Sequence, residues 1–180
     1  MTDGRDAGAI VSERTTSPAR TQSTDWAAYA ACAWALIFAA VSFYWAAGGT
    51  VGADTVGGVI TRLPGIVALL WVTAALKVLG GLLALALVRP WGRVLPRWLL
   101  LTLSWAGGVG LIAYGAIPLV VNGLMVAGVL HVPGPVDWTV MRWHVFLWDP
   151  WWLLGGLLFV AAAWSYQHQA RLPRRVPSGG

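Results

Sequence analysis

The sequence predicts an all-α fold, a four-helix transmembrane bundle with a short interfacial helix in its outer loop, and three observations carry that prediction. The chain has 180 residues, of which 58% are apolar and 11% charged, against about 45–50% and about 25% in ordinary soluble domains. The apolar residues gather into four runs, each long enough to cross a hydrocarbon core about 30 Å thick. The cations lie between those runs, with the single exception of Lys77.

The composition excludes a typical water-soluble enzyme, and 13 Trp with 22 Gly exclude an intrinsically disordered chain. A net charge of +5 does not indicate nucleic acid as a partner, because the basic residues mark the ends of hydrophobic segments and form no phosphate-binding patch. Cys32 is the single cysteine, so no internal disulfide forms. No Cys/His grouping has metal-ligand spacing, and neither metal nor cofactor is expected.

Residues 1–24 are polar and lack hydrophobic periodicity, which predicts a disordered cytoplasmic tail. Helix one follows from Trp26 to Ala47, an uncharged run too long for a signal peptide's apolar region of about 7–15 residues. Thr24 and Asp25 supply its N-cap. Helix two spans Pro64 to Val88 with Pro64 in its first turn. Helix three starts at Trp98 and stays apolar to about Leu130, longer than one span of roughly 17–25 residues requires. Pro118, Asn122 and Gly123 are expected to end or kink it. Helix four opens on the Asp149-Pro150 pair, a cap residue before the residue best tolerated at a first helical position, and runs to about Tyr166. The membrane domain thus covers residues 25–168, and 169–180 form a basic cytoplasmic C-terminal tail.

Short cytoplasmic loops carry the excess of Lys and Arg. Arg5, Arg14 and Arg20, then Arg89, Arg93 and Arg97, then Arg171, Arg174 and Arg175 fall on one face, leaving Arg62 and Arg142 on the other. Four spans with both termini cytoplasmic satisfy this count, which predicts a multi-pass protein of the cell membrane. Trp26, Trp91, Trp98, Trp164 and Tyr166 mark the inner interface. Tyr44, Trp45, Trp138, Trp143, Trp148, Trp151 and Trp152 mark the outer one, with interfacial anchoring as their expected role. The Trp-rich stretch around Arg142 and His144 gives the short interfacial helix. Small residues predict close helix packing: Ala27, Ala31, Ala35 and Ala39 on helix one, Gly80, Gly81 and Ala84 on helix two, Ser104 and Gly108 on helix three, Gly155 and Gly156 on helix four. The same stripes suit self-association or a membrane protein partner equally well.

Lys77 is the residue most in need of explanation, since a lone cation inside a span is rare and a functional candidate. At about 1.5 Å per residue it sits roughly 17 Å above Val88, near mid-membrane. The same ruler puts Ser42, Thr73, Tyr114 and Asp149 at about 23–26 Å above the inner ends of their helices. One polar group from each helix would then meet in the outer third, with Lys77 and Asp149 as an ion pair and an amphipathic ligand, a lipid headgroup or a quinone, bound there. The alternative is that Lys77 snorkels to the inner headgroups, Asp149 caps helix four and Tyr114 anchors at the interface. Arg142, His144 and Trp148 form an outer-interface group beside this cluster, and His131 and His144 are read as solvated. His168 complements the end of helix four.

No phosphate-binding loop, nucleophile elbow, zinc-protease or dinucleotide motif is present. The glycines of 48–54 follow a membrane helix instead of a strand. The reading that results is a small accessory or ligand-binding membrane component, not an enzyme. Two alternatives are a permease or channel subunit in which Lys77 selects anions or relays protons, and a membrane enzyme using Asp149 or His144 as acid or base on a hydrophobic substrate.

The stretch Phe43-Tyr44-Trp45-Ala46-Ala47-Gly48-Gly49-Thr50, together with Asp149-Pro150 ahead of Leu153-Leu154-Gly155, resembles a family of small bacterial integral membrane proteins known as domain of unknown function 3995. The likeness covers about residues 26–166. It implies a plasma-membrane protein of about four helices, common in actinobacteria, and it implies no activity and no catalytic residues.

Overall fold

The computed structural model describes residues 25–57, 65–131 and 134–169, and within them every regular element is helical. The expected N-terminal tail with Thr24, the segment holding Arg62 and Pro64, and the C-terminal tail with Arg171, Arg174 and Arg175 lie outside the described residues. The helices are α1 (Trp26–Ala46), α2 (Ile66–Ala86), α3 (Arg97–Val126), α4 (Trp138–Trp143) and α5 (Asp149–Gln169), with short 3-10 turns at Ala53–Val56 and Pro90–Val94. Among the described residues four helical units are long and apolar enough to cross a membrane, the fourth because α4 runs into α5 and makes one 32-residue helix, Trp138–Gln169.

The ends of these helices follow from local chemistry. At the end of α1, Gly48 takes a positive φ of 94°. The Gly49 N–H then reaches the Tyr44 carbonyl at 2.9 Å, and the Gly48 N–H that of Trp45 at 3.1 Å, a glycine-terminated cap of the Schellman type. The aromatic motif leading into that cap fixes the exit of the chain: the Tyr44 hydroxyl accepts the Val51 N–H at 3.2 Å and the Trp45 indole donates to the Val51 carbonyl at 2.9 Å. The same device stops α3 at Gly128, where φ is 74° and the Val129 N–H meets the Leu124 carbonyl. Pro118, Asn122 and Gly123 therefore do not end helix three, and Pro118 lies inside it. A membrane helix tolerates an interior proline when neighbours cover the freed backbone.

Helix four corrects the expectation in a second way. Asp149 does not cap it; the cap is Asp137, whose carboxylate accepts the Thr139 and Val140 N–H groups at 3.0 and 3.2 Å. The interfacial helix is thus the first turn and a half of the fourth span, joined to the rest by a π-helical stretch, His144–Trp148. That widened turn lies immediately before Pro150, whose ring and missing N–H do not fit a regular α-helical turn. Asp25 stands before α1 but caps no N–H. Its carboxylate accepts instead from the Gln169 amide at 3.4 Å, which brings the start of α1 and the end of α5 together at one end of the bundle.

The bundle packs in the order α2, α1, α5, α3, and α2 meets α3 only sparsely. The alanine stripe of α1 is buried along its whole length, and Gly81 lets α2 approach Cys32 and Ala35. Between α3 and α5 the backbones touch: a Cβ on Gly156 would lie 2.7 Å from the Gly108 carbonyl oxygen, and one on Gly115 would lie 2.7 Å from that of Asp149. Such close approach is how helices associate in lipid, where apolar burial gives no net drive.

Toward the Asp25 end the core is built of small side chains, Ala27, Ala28, Ala86 and Ala162 with Leu87 and Leu100. Toward the other it is aromatic. Trp34, Phe38 and Phe159 are buried there, with Trp148, Trp151 and Trp152 packed on them. These three tryptophans and the buried Trp45 are therefore core residues and not interfacial anchors, whereas Trp138 and Trp143 remain exposed. The reason is helical phase: positions 148, 151, 152, 155 and 159 share one face of a continuous helix, and that face looks at α1.

Candidate functional site

The gap between α2 and α3 leaves a cleft of about 480 Å³. Thr73, Lys77 and Gly80 line it from α2, and Gly107, Gly110 and Tyr114 from α3, over a floor that includes Trp34, Trp152 and Phe159. Lys77 turns inward. Its Nζ lies 4.5 Å from the centre of the Phe38 ring and 5.7 Å from that of Trp152, within cation–π range. It forms no ion pair with Asp149, and among the described residues no oxygen accepts from it.

The aromatic floor is held by specific contacts. Trp34 stacks on Trp151 at 6.1 Å and its indole donates to the Trp151 carbonyl at 2.9 Å. Gly155 allows this, because a Cβ there would enter the Trp34 ring. Phe38 meets Trp152 edge-on at 4.5 Å and stacks on Trp148 at 6.1 Å. Trp148 in turn donates to the Thr55 hydroxyl at 3.2 Å, which ties the loop after α1 over the bundle.

A second cavity, of about 570 Å³, lies at the end of the bundle remote from Asp25 and Gln169. It is lined by Pro118, Asn122, Asp137, His144 and Asp149, and Tyr114 and Trp152 separate it from the cleft. Their rings are in edge contact at 4.9 Å. The Asp149 carboxylate, with 3% of its side chain exposed, takes His144 Nδ1 at 3.1 Å on one oxygen and the Asn122 amide at 3.2 Å on the other. An ionised carboxylate only accepts, so Nδ1 carries the hydrogen in this contact, and in a neutral ring Nε2 is then an acceptor.

The expected cluster is thus divided. Lys77 and Thr73 belong to the cleft, Asp149 and His144 to the outer pocket, and Tyr114 to both. Thr73 donates to the Leu70 carbonyl at 3.1 Å. Ser42 lines neither cavity; it is buried and its hydroxyl bonds back to the Phe38 carbonyl at 3.1 Å, a common habit of Ser in apolar helices. Arg142 borders a separate hollow with Thr139, Trp143 and Phe146. Trp148 faces the core. His131 lines a further small pocket, and His168 meets the Trp164 carbonyl and stacks on its ring.

Sequence reasoning missed Asn122, which was taken as a helix breaker, and the buried pair Trp34 and Phe38. Both carried a signal. Asn122 repeats at seven-residue spacing after Gly108 and Gly115, which puts it on the face of α3 that touches α5. Trp34 and Phe38 stand mid-span, away from either interfacial belt.

A family model described as "Protein of unknown function (DUF3995)" matches residues 35–159. The match takes in Lys77, Tyr114, Asn122, His144 and Asp149 and begins one residue after Trp34. No curated protein and no solved structure matches the chain.

Proposed function

The chain belongs to the DUF3995 family, and on that premise we propose that it is a small accessory membrane protein that binds an amphipathic molecule in the cleft between α2 and α3. The observation that carries this reading is the Lys77 amine inside an otherwise apolar cavity. A cation at that depth costs about 2.5–3.5 kcal/mol even on a lenient insertion scale, and a ring contact of about 0.5–2 kcal/mol offsets part of it. The ammonium group has three donors, and among the described residues none is taken by an oxygen. The carbonyl, carboxylate or phosphate oxygen of a lipid-like head would accept them, while the apolar remainder of the molecule fills the cleft.

The glycines of the α3 wall support the same reading. A Cβ on Gly107 or Gly110 would meet nothing within 4 Å, so packing does not require glycine there, although glycine inside a helix costs about 0.5–1 kcal/mol relative to alanine. Their effect is to leave room. We place the protein in the cell membrane with both termini cytoplasmic. Arg89, Arg93 and Arg97 support this, because they flank the α2–α3 turn at the bundle end that Asp25 and Gln169 share.

Mass spectrometry of the protein released from mild detergent tests the proposal, wild type against Lys77→Met. A defined ligand retained by the wild type and lost from the variant is expected. Identical spectra with no retained ligand would overturn it.

A further inference from the structure

We propose that the outer pocket is a second binding site, independent of the cleft, and that it takes a primary ammonium group. The buried carboxylate of Asp149 lines the cavity and holds two donors, the Asn122 amide and the His144 ring N–H. The Asn122 amide is neutral, and the imidazole brings a charge only when both of its nitrogens carry hydrogen. A carboxylate withdrawn from water is strongly unfavourable unless a cation or a proton supplies the counter-charge.

Among the described residues, the cations of this half of the bundle are directed elsewhere. Lys77 lies on Phe38 on the far side of the Tyr114–Trp152 wall, and Arg142 borders its own hollow. Among the described residues, the lining of the outer pocket holds two carboxylates, Asp149 and Asp137, and neither Lys nor Arg, in a chain with 12 cations and 7 acids.

Beside the donors of the Tyr114 hydroxyl and the second Asn122 N–H, the cavity offers further acceptors. With Nδ1 engaged, His144 offers Nε2. Pro118 lies inside the helix and has no N–H to give the carbonyl of Tyr114, four residues before it. Asp137 uses one oxygen for its cap and keeps the other. A protonated primary amine carries three donors, no acceptor and a positive charge, which is the complement of this inventory. The faces of Tyr114 and Trp152 suit a cation as well. A quaternary ammonium would supply the charge but no N–H. The ammonium belongs either to a soluble alkylamine or to the ethanolamine headgroup of a lipid in the adjoining leaflet.

The test is calorimetric titration of the purified full-length chain in mild detergent with butylammonium chloride, with tetramethylammonium chloride as comparator. Saturable binding of butylammonium is expected, at least tenfold tighter than that of tetramethylammonium. It should weaken at least tenfold in Asp149→Asn and stay unchanged in Lys77→Met, so that failure of the cleft reading and failure of this one are told apart. His144→Gln keeps a donor toward Asp149 while removing the free ring nitrogen, and a several-fold weakening there serves if Asp149→Asn does not fold. In nanodiscs, competition by phosphatidylethanolamine but not phosphatidylglycerol assigns the headgroup as the source, and equal affinity in both lipids assigns a soluble amine. Absence of saturable binding would mean that a proton on His144 already supplies the charge and would overturn the proposal. So would equal affinity for the two cations, or wild-type affinity in both folded variants.

Discussion

The two faces of α3 use the same residue type for opposite ends. Toward α5, Gly108 and Gly115 are in contact with backbone, and Asn122 continues that seven-residue line to the Asp149 carboxylate. Toward α2, Gly107 and Gly110 face open space. On one side the missing side chain lets two helices close, and on the other it keeps two helices from filling the gap between them. A glycine in a membrane helix is therefore ambiguous until its neighbour is known.

The closed face is the more sensitive of the two. Gly156→Val puts branched carbons against the Gly108 carbonyl and Ile112, and overpacking of about 1–3 kcal/mol or more is expected. Size-exclusion chromatography should show loss of the monodisperse species, with a lowered thermal midpoint for what remains. Truncating the polar end of that face costs less: Asn122→Ala leaves one oxygen of Asp149 without its donor, and about 1–3 kcal/mol is expected, read as a lowered midpoint in thermal unfolding. At the open face, Gly110→Leu should leave the midpoint near that of the wild type while filling the cleft, and the ligand seen by mass spectrometry should disappear. A large fall in stability would show instead that the cleft is a packed interface. The smallest effect sharpens the contrast. Gly107→Ala should stabilise the protein by about 0.5–1 kcal/mol, whereas alanine at Gly115 would meet the Leu153 and Asp149 backbone and destabilise it.

The same division separates what was legible in the sequence from what was not. The depth ruler found Lys77, Tyr114 and Asp149 because height along a helix depends only on residue count. It failed to divide them into two cavities because it is silent on rotation about the helix axis. It was not carried on to Asn122, whose amide nevertheless reaches Asp149, because the helices do not all end at one level. The long pair, α3 and the joined α4–α5, outruns α1 and α2, which have 21 residues each. The outer pocket sits on that overhang. The tryptophans misled for a related reason: a residue near the interface in sequence was assumed to face it, and the continuous helix turned Trp148, Trp151 and Trp152 inward.

By itself the sequence determined the spans, their number and the helical class of the fold. Those are properties of about 20 contiguous residues, in which the cost of bare peptide groups in lipid leaves the helix as the one local solution. Tertiary structure decided which groups share a cavity. In lipid no general apolar drive orients a helix, and its rotation is set by the few positions where backbones touch. The contacts of Gly81 with Cys32 and Ala35 orient α2 and with it Lys77, those of Gly108, Gly115, Gly155 and Gly156 orient α5 and with it Asp149, and hydropathy carries no trace of them.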